Sequence, residues 1–452
     1  MDKKALIEKL AHDAYAKGGF NGTWLYAEGG EIVSQGALGW RDDKDQLPMT
    51  EDSIYELASI TKQFTAAAVM LLVRRGLLSL DDDITKFFPD IPYKGATIRH
   101  FLNHTAGTPE IYESDWMVEL SHKEGIPSND IVPRYLVESG EEPHFAPGEQ
   151  WEYSNTNYNL LALLVERLAG IPFEDFLKQN LFEPAGMVDT AVYHLRRDGI
   201  PSDRIVRNMV LEDGKFILPD DSEEYADQVI PVDGLNGDDY VYTTNMDMLR
   251  WDRALREGKI ITLEEQKLMY TPARLNNGEE YREDDGEGYG FGWGVWQHPT
   301  LGLVVDHSGG MPGLGTWYER MIDADRVLVF LISRDPKDYR AEAGFWEGMR
   351  KIAHDEEPDP IQSLDDLVIK NPDKSKWESY CGHYETSEVF PLGEVYLKDG
   401  ELHGKVMWDE DDPFDCVLYP IGENTFGRRG GMVKITFGDG CYVVDDVTCK
   451  KI

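Results

Sequence analysis

Ser59-Ile60-Thr61-Lys62 sets a hydroxyl three residues ahead of an amine, at the start of an apolar-periodic run. On a helix those two side chains share one face. A serine does not lose its proton unaided at neutral pH, so a nucleophilic serine needs a proton acceptor within reach. Lys62 is expected to help if its pKa is lowered. The positive potential of a helix N-terminus and burial both push that way. Tyr153-Ser154-Asn155 offers a phenol as a second proton relay, where a nearby cation favours its phenolate. Asn155 adds an amide that can bind both a carbonyl and an N–H. His307-Ser308-Gly309-Gly310 follows an apolar strand-like run. Glycines there let a backbone N–H approach an oxyanion closely. Taken singly, Ser59 could be an N-cap, Tyr153 a packing residue and His307 a strand-end histidine. Together they occur in one order, each at an element boundary.

The elements that must position these residues are legible in the periodicity. A helix over 59–75 buries Ile60, Phe64, Ala67, Ala68, Leu71 and Leu72, and Gly76 ends it. A helix over 4–17 precedes a hairpin whose strands flank Gly29-Gly30. A short helix over 97–102 leads into His104-Thr105-Ala106-Gly107, and residues 108–148 read as an irregular helical insertion that walls a pocket. A helix over 157–169 stops at Gly170. Strands return at 302–306 and 326–333, and a helix follows over 341–354. Strands, then helices, then strands predict an α+β fold in which both ends of the region build one antiparallel sheet, with a helical subdomain. Pro358-Asp359-Pro360 marks a linker, and short alternating segments beyond it predict a small antiparallel β-barrel. The expected division is a catalytic domain over 1–356, a linker over 357–373 and a β domain over 374–452.

The 452 residues carry 84 acidic and 45 basic side chains, a formal net charge of −39. Such a chain repels phosphate backbones and anionic lipid, so neither nucleic acid nor membrane is an expected partner. The charge serves solubility, or a field that favours substrates with a free amine. No run approaches the apolar length of a membrane span. The N-terminus lacks the apolar core of a signal peptide, so a cytoplasmic location is expected. Cys381, Cys416, Cys441 and Cys449 form no C-x-x-C pair, which predicts buried free thiols rather than a zinc site, and two disulfides only if the protein is secreted.

The three motifs resemble those of the serine β-lactamase and penicillin-binding superfamily, in its class C-like branch of β-lactamases, D-aminopeptidases, D,D-peptidases and family VIII carboxylesterases. That branch carries Ser-x-x-Lys, Tyr-x-Asn and Lys-or-His-x-Gly. The flanking phrases Phe101-Leu102-Asn103-His104-Thr105-Ala106-Gly107, Pro147-Gly148 and Tyr289-Gly290-Phe291-Gly292-Trp293 are similar too. The resemblance covers roughly residues 22–334 and implies an acyl-enzyme on Ser59, proton transfer through Lys62 and Tyr153, and an oxyanion hole from the Ser59 and Gly310 N–H groups. It implies substrate binding by Asn155, His307, Ser308 and Gly309. It implies no metal and no organic cofactor, and a small-molecule or short-peptide substrate. The C-terminal segment resembles the lipocalin-like modules appended to some peptidase relatives.

Two departures bear on substrate. Histidine stands where β-lactamases and D,D-peptidases usually have lysine, which weakens the hold on a substrate carboxylate. Were His307 to take part in binding, activity should change near pH ~6.5. Relatives often carry consecutive glycines where Asp239 and Tyr240 stand, so these side chains narrow the pocket, contact a substrate amine, or merely vary a loop. Tyr112, Trp116, Trp293 and Trp317 are candidates for an aromatic wall, with structural packing the expected role of any one of them. The resulting expectation is a serine hydrolase of small esters or of amides and peptides, including those with a D-residue. Alternatives are a carboxylesterase without peptidase activity, a β-lactamase, and a penicillin-binding sensor or scaffold without turnover.

Overall fold

The computed structural model describes residues 1–42, 44, 46–283, 286–387, 389–408 and 413–452. Chain contacts divide it into two units: Met1–Lys4 with Asn21–Asp335, and Ala5–Phe20 with Pro336–Ile452.

The first unit is built on a seven-stranded antiparallel sheet. Its strands are β1 (Gly22–Glu28), β2 (Glu31–Leu38), β3 (Gly288–Tyr289), β4 (Gly294–His298), β5 (Gly302–Met311), β6 (Leu314–Met321) and β7 (Arg326–Ile332), in the spatial order β3-β4-β5-β6-β7-β1-β2. Late strands thus pair with early ones, as the pattern along the chain predicts. The β7 residues Val327 to Leu331 are fully buried, which suits a central strand covered on both faces. Trp24 of β1 and Trp317 of β6 flank Phe330 in register. Gly29 and Gly30, at φ 57° and 83°, form the turn between β1 and β2. Positive φ at both positions is what a two-residue hairpin with the right twist requires.

Two helices bring the chemistry to this sheet. Helix α1 (Lys62–Arg74) follows a 3-10 turn over Ala58–Thr61, so Ser59 sits in the turn rather than in the α-helix itself. Helix α2 (Asn155–Ala169) starts two residues earlier than the apolar periodicity suggests and ends at Gly170 in the left-handed conformation. The short helices of residues 111–138 form the expected irregular insertion. The 3-10 turn seats on β5 at Gly309. A Cβ there would lie 2.3 Å from both the Leu57 carbonyl oxygen and Thr316 Oγ1.

In the second unit, eight short strands run from Gly382–His383 to Val447–Lys450 as one antiparallel meander, each paired with its sequence neighbours. The sheet curls until its ends meet: Glu385 N–H donates to the Lys450 carbonyl at 2.8 Å and Ile452 N–H to the His383 carbonyl at 2.9 Å. Aromatic side chains fill the interior, with Tyr380 stacked on Phe437 at 4.7 Å. The four cysteines are free thiols, and only Cys449 is buried. Among the described residues no helix is long and apolar enough to cross a membrane.

Gly309→Ala should therefore cost about 1–3 kcal/mol, because neither the Leu57 backbone nor the β6 side chain can withdraw freely. Urea denaturation of the variant beside the wild type measures this.

Candidate active site

The turn that carries Ser59 is clamped from two sides. Leu57 N–H donates to the Val241 carbonyl at 2.8 Å, Thr316 Oγ1 donates to the Leu57 carbonyl at 2.8 Å, and Val241 N–H donates to Thr61 Oγ1 at 3.2 Å. Ala58 enters the turn at φ 47°, in the left-handed region. On the far side Gly292, at φ 74°, lies so close to α1 that a Cβ would sit 2.8 Å from the Lys62 carbonyl. The Tyr289–Trp293 phrase is thus a close-packed brace for the first turn of α1.

Lys62 is fully buried. Its Nζ donates to Ser59 Oγ at 3.0 Å, Asn155 Oδ1 at 2.6 Å and the Asp238 carbonyl at 3.3 Å. Three acceptors match the three N–H groups of an ammonium. Nζ also lies 4.9 Å from the Tyr153 ring centroid. Burial pulls the Lys62 pKa down, but Tyr153, Asp238 and Asp239 outweigh it, and the net shift is upward. This corrects the expectation of a lowered lysine pKa. Burial acts as anticipated, yet the groups that reverse it, Tyr153 first and then Asp238 and Asp239, arrive from far along the chain. Tyr153 interacts with both Lys62 and Ser59. Burial raises its pKa and the Lys62 charge only partly offsets this.

Asn155 is held by its own backbone: its N–H donates to Glu110 Oε2 at 2.6 Å. Glu110 also accepts from Tyr112 N–H at 3.0 Å, and burial lifts its pKa to about 7. Asp238 accepts from Asn159 Nδ2. Ser59 Oγ faces Asp239 Oδ1 at 3.5 Å. Glu110 carries no sequence signal that singles it out. The run Asn155, Tyr158, Asn159 does, because i, i+3 and i+4 on α2 present one polar face toward the site.

His307 lies on the same strand as Gly309, and its ring is neutral in a definite tautomer. Nδ1 donates to the Ser308 carbonyl at 2.5 Å, so Nε2 accepts from the Tyr289 hydroxyl at 2.9 Å. Burial, and then the Lys62 charge, depress its pKa to about 4. The change anticipated near pH 6.5 therefore moves to more acidic pH. Ser308 and Gly310 are exposed while Gly309 is buried. Pairing of β5 with β4 stops at Asp306, so among the described residues, 307–311 pair with strand β6 only and leave their other edge without a strand.

Of the candidate wall residues, Trp293 and Trp116 take the packing role expected of any one of them, while Tyr112 lies beside Asp238. Trp293 packs on Tyr270 and Tyr318, and Trp116 on Tyr135. The rings at the site are Trp151, Tyr153, Tyr158 and Tyr289, which surround buried His104 with centroids 4.5–6.0 Å away. His104 Nδ1 accepts from Ser154 N–H at 3.1 Å, which ties the tyrosine motif to the His104-Thr105-Ala106-Gly107 loop.

A family model described as Beta-lactamase matches residues 7–347. The chain belongs to the β-lactamase family. Proteins of this family are generally serine hydrolases, which agrees with the superfamily resemblance carried by the three motifs. "Penicillin-binding protein 4*" of Bacillus subtilis (strain 168) is 34% identical over 447 residues, covering 96% of this chain and 94% of that protein. The structure of an octameric penicillin-binding protein homologue from Pyrococcus abyssi aligns over 98% of this chain and 99% of that one, at 20% identity and TM-score 0.66. D-amino acid amidase from Ochrobactrum anthropi SV3, complexed with D-phenylalanine, aligns over 78% and 97% of the two chains, at 24% identity and TM-score 0.63. These two structures share the β-lactamase fold with this chain.

A histidine that must stay neutral when folded binds fewer protons than when unfolded. Stability therefore falls as pH drops from about 6.5 towards about 4, by an amount on the order of 3 kcal/mol if His307 acts alone. His307→Gln should remove that part of the acid sensitivity. Denaturation curves at several pH values from neutral down to about 4 would show the two proteins converging.

Proposed function

We propose that this chain is a serine hydrolase that cleaves small esters or amides, including peptides with a D-residue, through an acyl-enzyme on Ser59. The convergence of Ser59, Lys62, Tyr153 and Asn155 from two helices and one turn carries the reading. A binder without turnover has no need of a proton relay beside its hydroxyl.

The chemistry balances on these groups. Ser59 Oγ attacks the carbonyl carbon and its proton passes to the Lys62–Tyr153 pair. The oxygen of the tetrahedral intermediate accepts from the N–H groups of Ser59 and Gly310. Collapse breaks the bond to the leaving group, which takes the proton from the pair. Water then attacks the acyl carbon, gives its proton to the pair, and Ser59 leaves with it. Both members of the pair hold their protons more tightly than usual, so the reactive form is the one that has lost one. The rate should rise on the alkaline side as the pair deprotonates, with an apparent pKa that belongs to both groups. Asn155 and the strand-free edge of residues 307–311 would hold the substrate backbone.

Neutral His307 leaves the third motif without the cation that would bind a carboxylate, and Asp238, Asp239 and Glu110 crowd the site with acids. Both features work against β-lactams as the preferred substrate. The likeness to D-amino acid amidase supports amide cleavage.

Hydrolysis of p-nitrophenyl butyrate and of D- and L-alanine p-nitroanilides tests the reading. Ser59→Ala should lose about 10³-fold or more in kcat. Lys62→Met and Tyr153→Phe should each lose about 10²- to 10⁴-fold. Ester cleavage alone would mark a carboxylesterase; activity that survives Ser59→Ala would remove the nucleophile assignment.

A further inference from the structure

The Lys62–Tyr153 relay proposed above assigns Asp239 no step, yet its carboxyl faces the Ser59 hydroxyl at 3.5 Å. It is 3% exposed. Among the described residues Ser59 is its only side-chain hydrogen-bond partner, and it belongs to no ion pair. The neighbouring acids are already engaged: Glu110 by two backbone N–H groups, Asp238 by the Asn159 amide. Burial and then the Asp238 charge push the Asp239 carboxyl well above the usual carboxylate range. The Lys62 ammonium offsets only part of this, so the acid is costly to keep buried.

The backbone beside it is also strained. Tyr240 is fully buried at φ 73°, and its hydroxyl has no partner among the described residues. A left-handed conformation disfavours a bulky side chain by roughly 1–2 kcal/mol. Strain and an incompletely compensated acid are thus stored next to the nucleophile, where a ligand can relieve them.

We propose that Asp239 is a specificity-determining residue that binds the α-ammonium of the acyl group, so that the preferred substrates are α-amino acyl esters and amides with a free amino group. This rests on the acyl-enzyme reading of Ser59. Once Oγ is bonded to the carbonyl carbon, the α-nitrogen is two further bonds away, which places it on the order of 3 Å from Oγ. A carboxyl oxygen 3.5 Å from Oγ comes within hydrogen-bond range of that nitrogen when the acyl group is turned so that both lie on the same side of Oγ. An amine several carbons further along the side chain would overshoot it. The incoming cation also favours the ionised form of Asp239. The acids Asp238 and Glu110 offset the repulsion from the Lys62 ammonium, and the net charge of −39 draws cations to the molecule.

Matched substrates test this: alanine ethyl ester, N-acetylalanine ethyl ester and ethyl propionate, followed by acid release at constant pH. The ratio of kcat/KM for alanine ethyl ester over ethyl propionate should fall about tenfold or more in Asp239→Asn and Asp239→Gly, chiefly through KM for the amino ester. Comparing ratios between proteins cancels the intrinsic reactivity of the esters. Covalent labelling of Ser59 by a p-nitrophenyl alkylphosphonate verifies that each variant is folded. In the wild type alone, N-acetylation should lower kcat/KM by about tenfold or more. A ratio within about twofold of wild type in both variants, or equal use of the acetylated and free esters, would overturn the proposal. Hydrolysis of all three esters by Ser59→Ala at the wild-type rate would instead strike down the acyl-enzyme reading.

Discussion

The buried ammonium of Lys62 is the constraint on which the site depends. A cation removed from water is costly unless every N–H finds an acceptor. Here the acceptors come from three distant stretches: Ser59 in the preceding turn, Asn155 at the start of α2, and the Asp238 carbonyl. Satisfying that one group fixes the relative placement of both helices and the 237–241 segment. Close approach then becomes a requirement. Gly237, at φ 98°, lies where a Cβ would be 2.4 Å from Ala162 and 2.6 Å from the Tyr158 carbonyl, and Thr65 Oγ1 donates to the Gly237 carbonyl at 2.5 Å. Gly292 does the same for α1 from the other side.

The same ammonium sets the charge of its surroundings. It favours the phenolate of Tyr153 and helps keep His104 and His307 neutral. It is in turn held charged by acids that burial would otherwise leave protonated. Among the described residues the result is a pocket with one buried cation, several carboxyls and no cation free to receive a carboxylate. That balance, more than the fold, separates this site from one built for anionic substrates.

Much of this was legible in the chain. The three motifs mark the residues that meet, Gly29-Gly30 marks its turn, and the apolar runs at 302–306 and 326–332 mark central strands. Chemistry that stays within one element, such as the offset between Ser59 and Lys62, can be read locally. What could not be read is long-range. The charge of Lys62 depends on Asp238 and Asp239, some 176 residues away for the first contact. The neutrality of His307 depends on Tyr289 and on burial. Residue type alone does not tell Trp293 and Trp116, which pack on Tyr270, Tyr318 and Tyr135, from Tyr158 and Tyr289, which face His104. Side-chain direction across packed elements is a tertiary property, and periodicity does not report it.

The central claim is that Lys62 is placed to move the proton of Ser59. The rate of phosphonylation by a p-nitrophenyl alkylphosphonate, with the modified peptide identified by mass spectrometry, tests it most directly. The account predicts one adduct, on Ser59, formed about a hundredfold more slowly in Lys62→Met. A label on another residue, or Lys62→Met reacting at the wild-type rate, would contradict it.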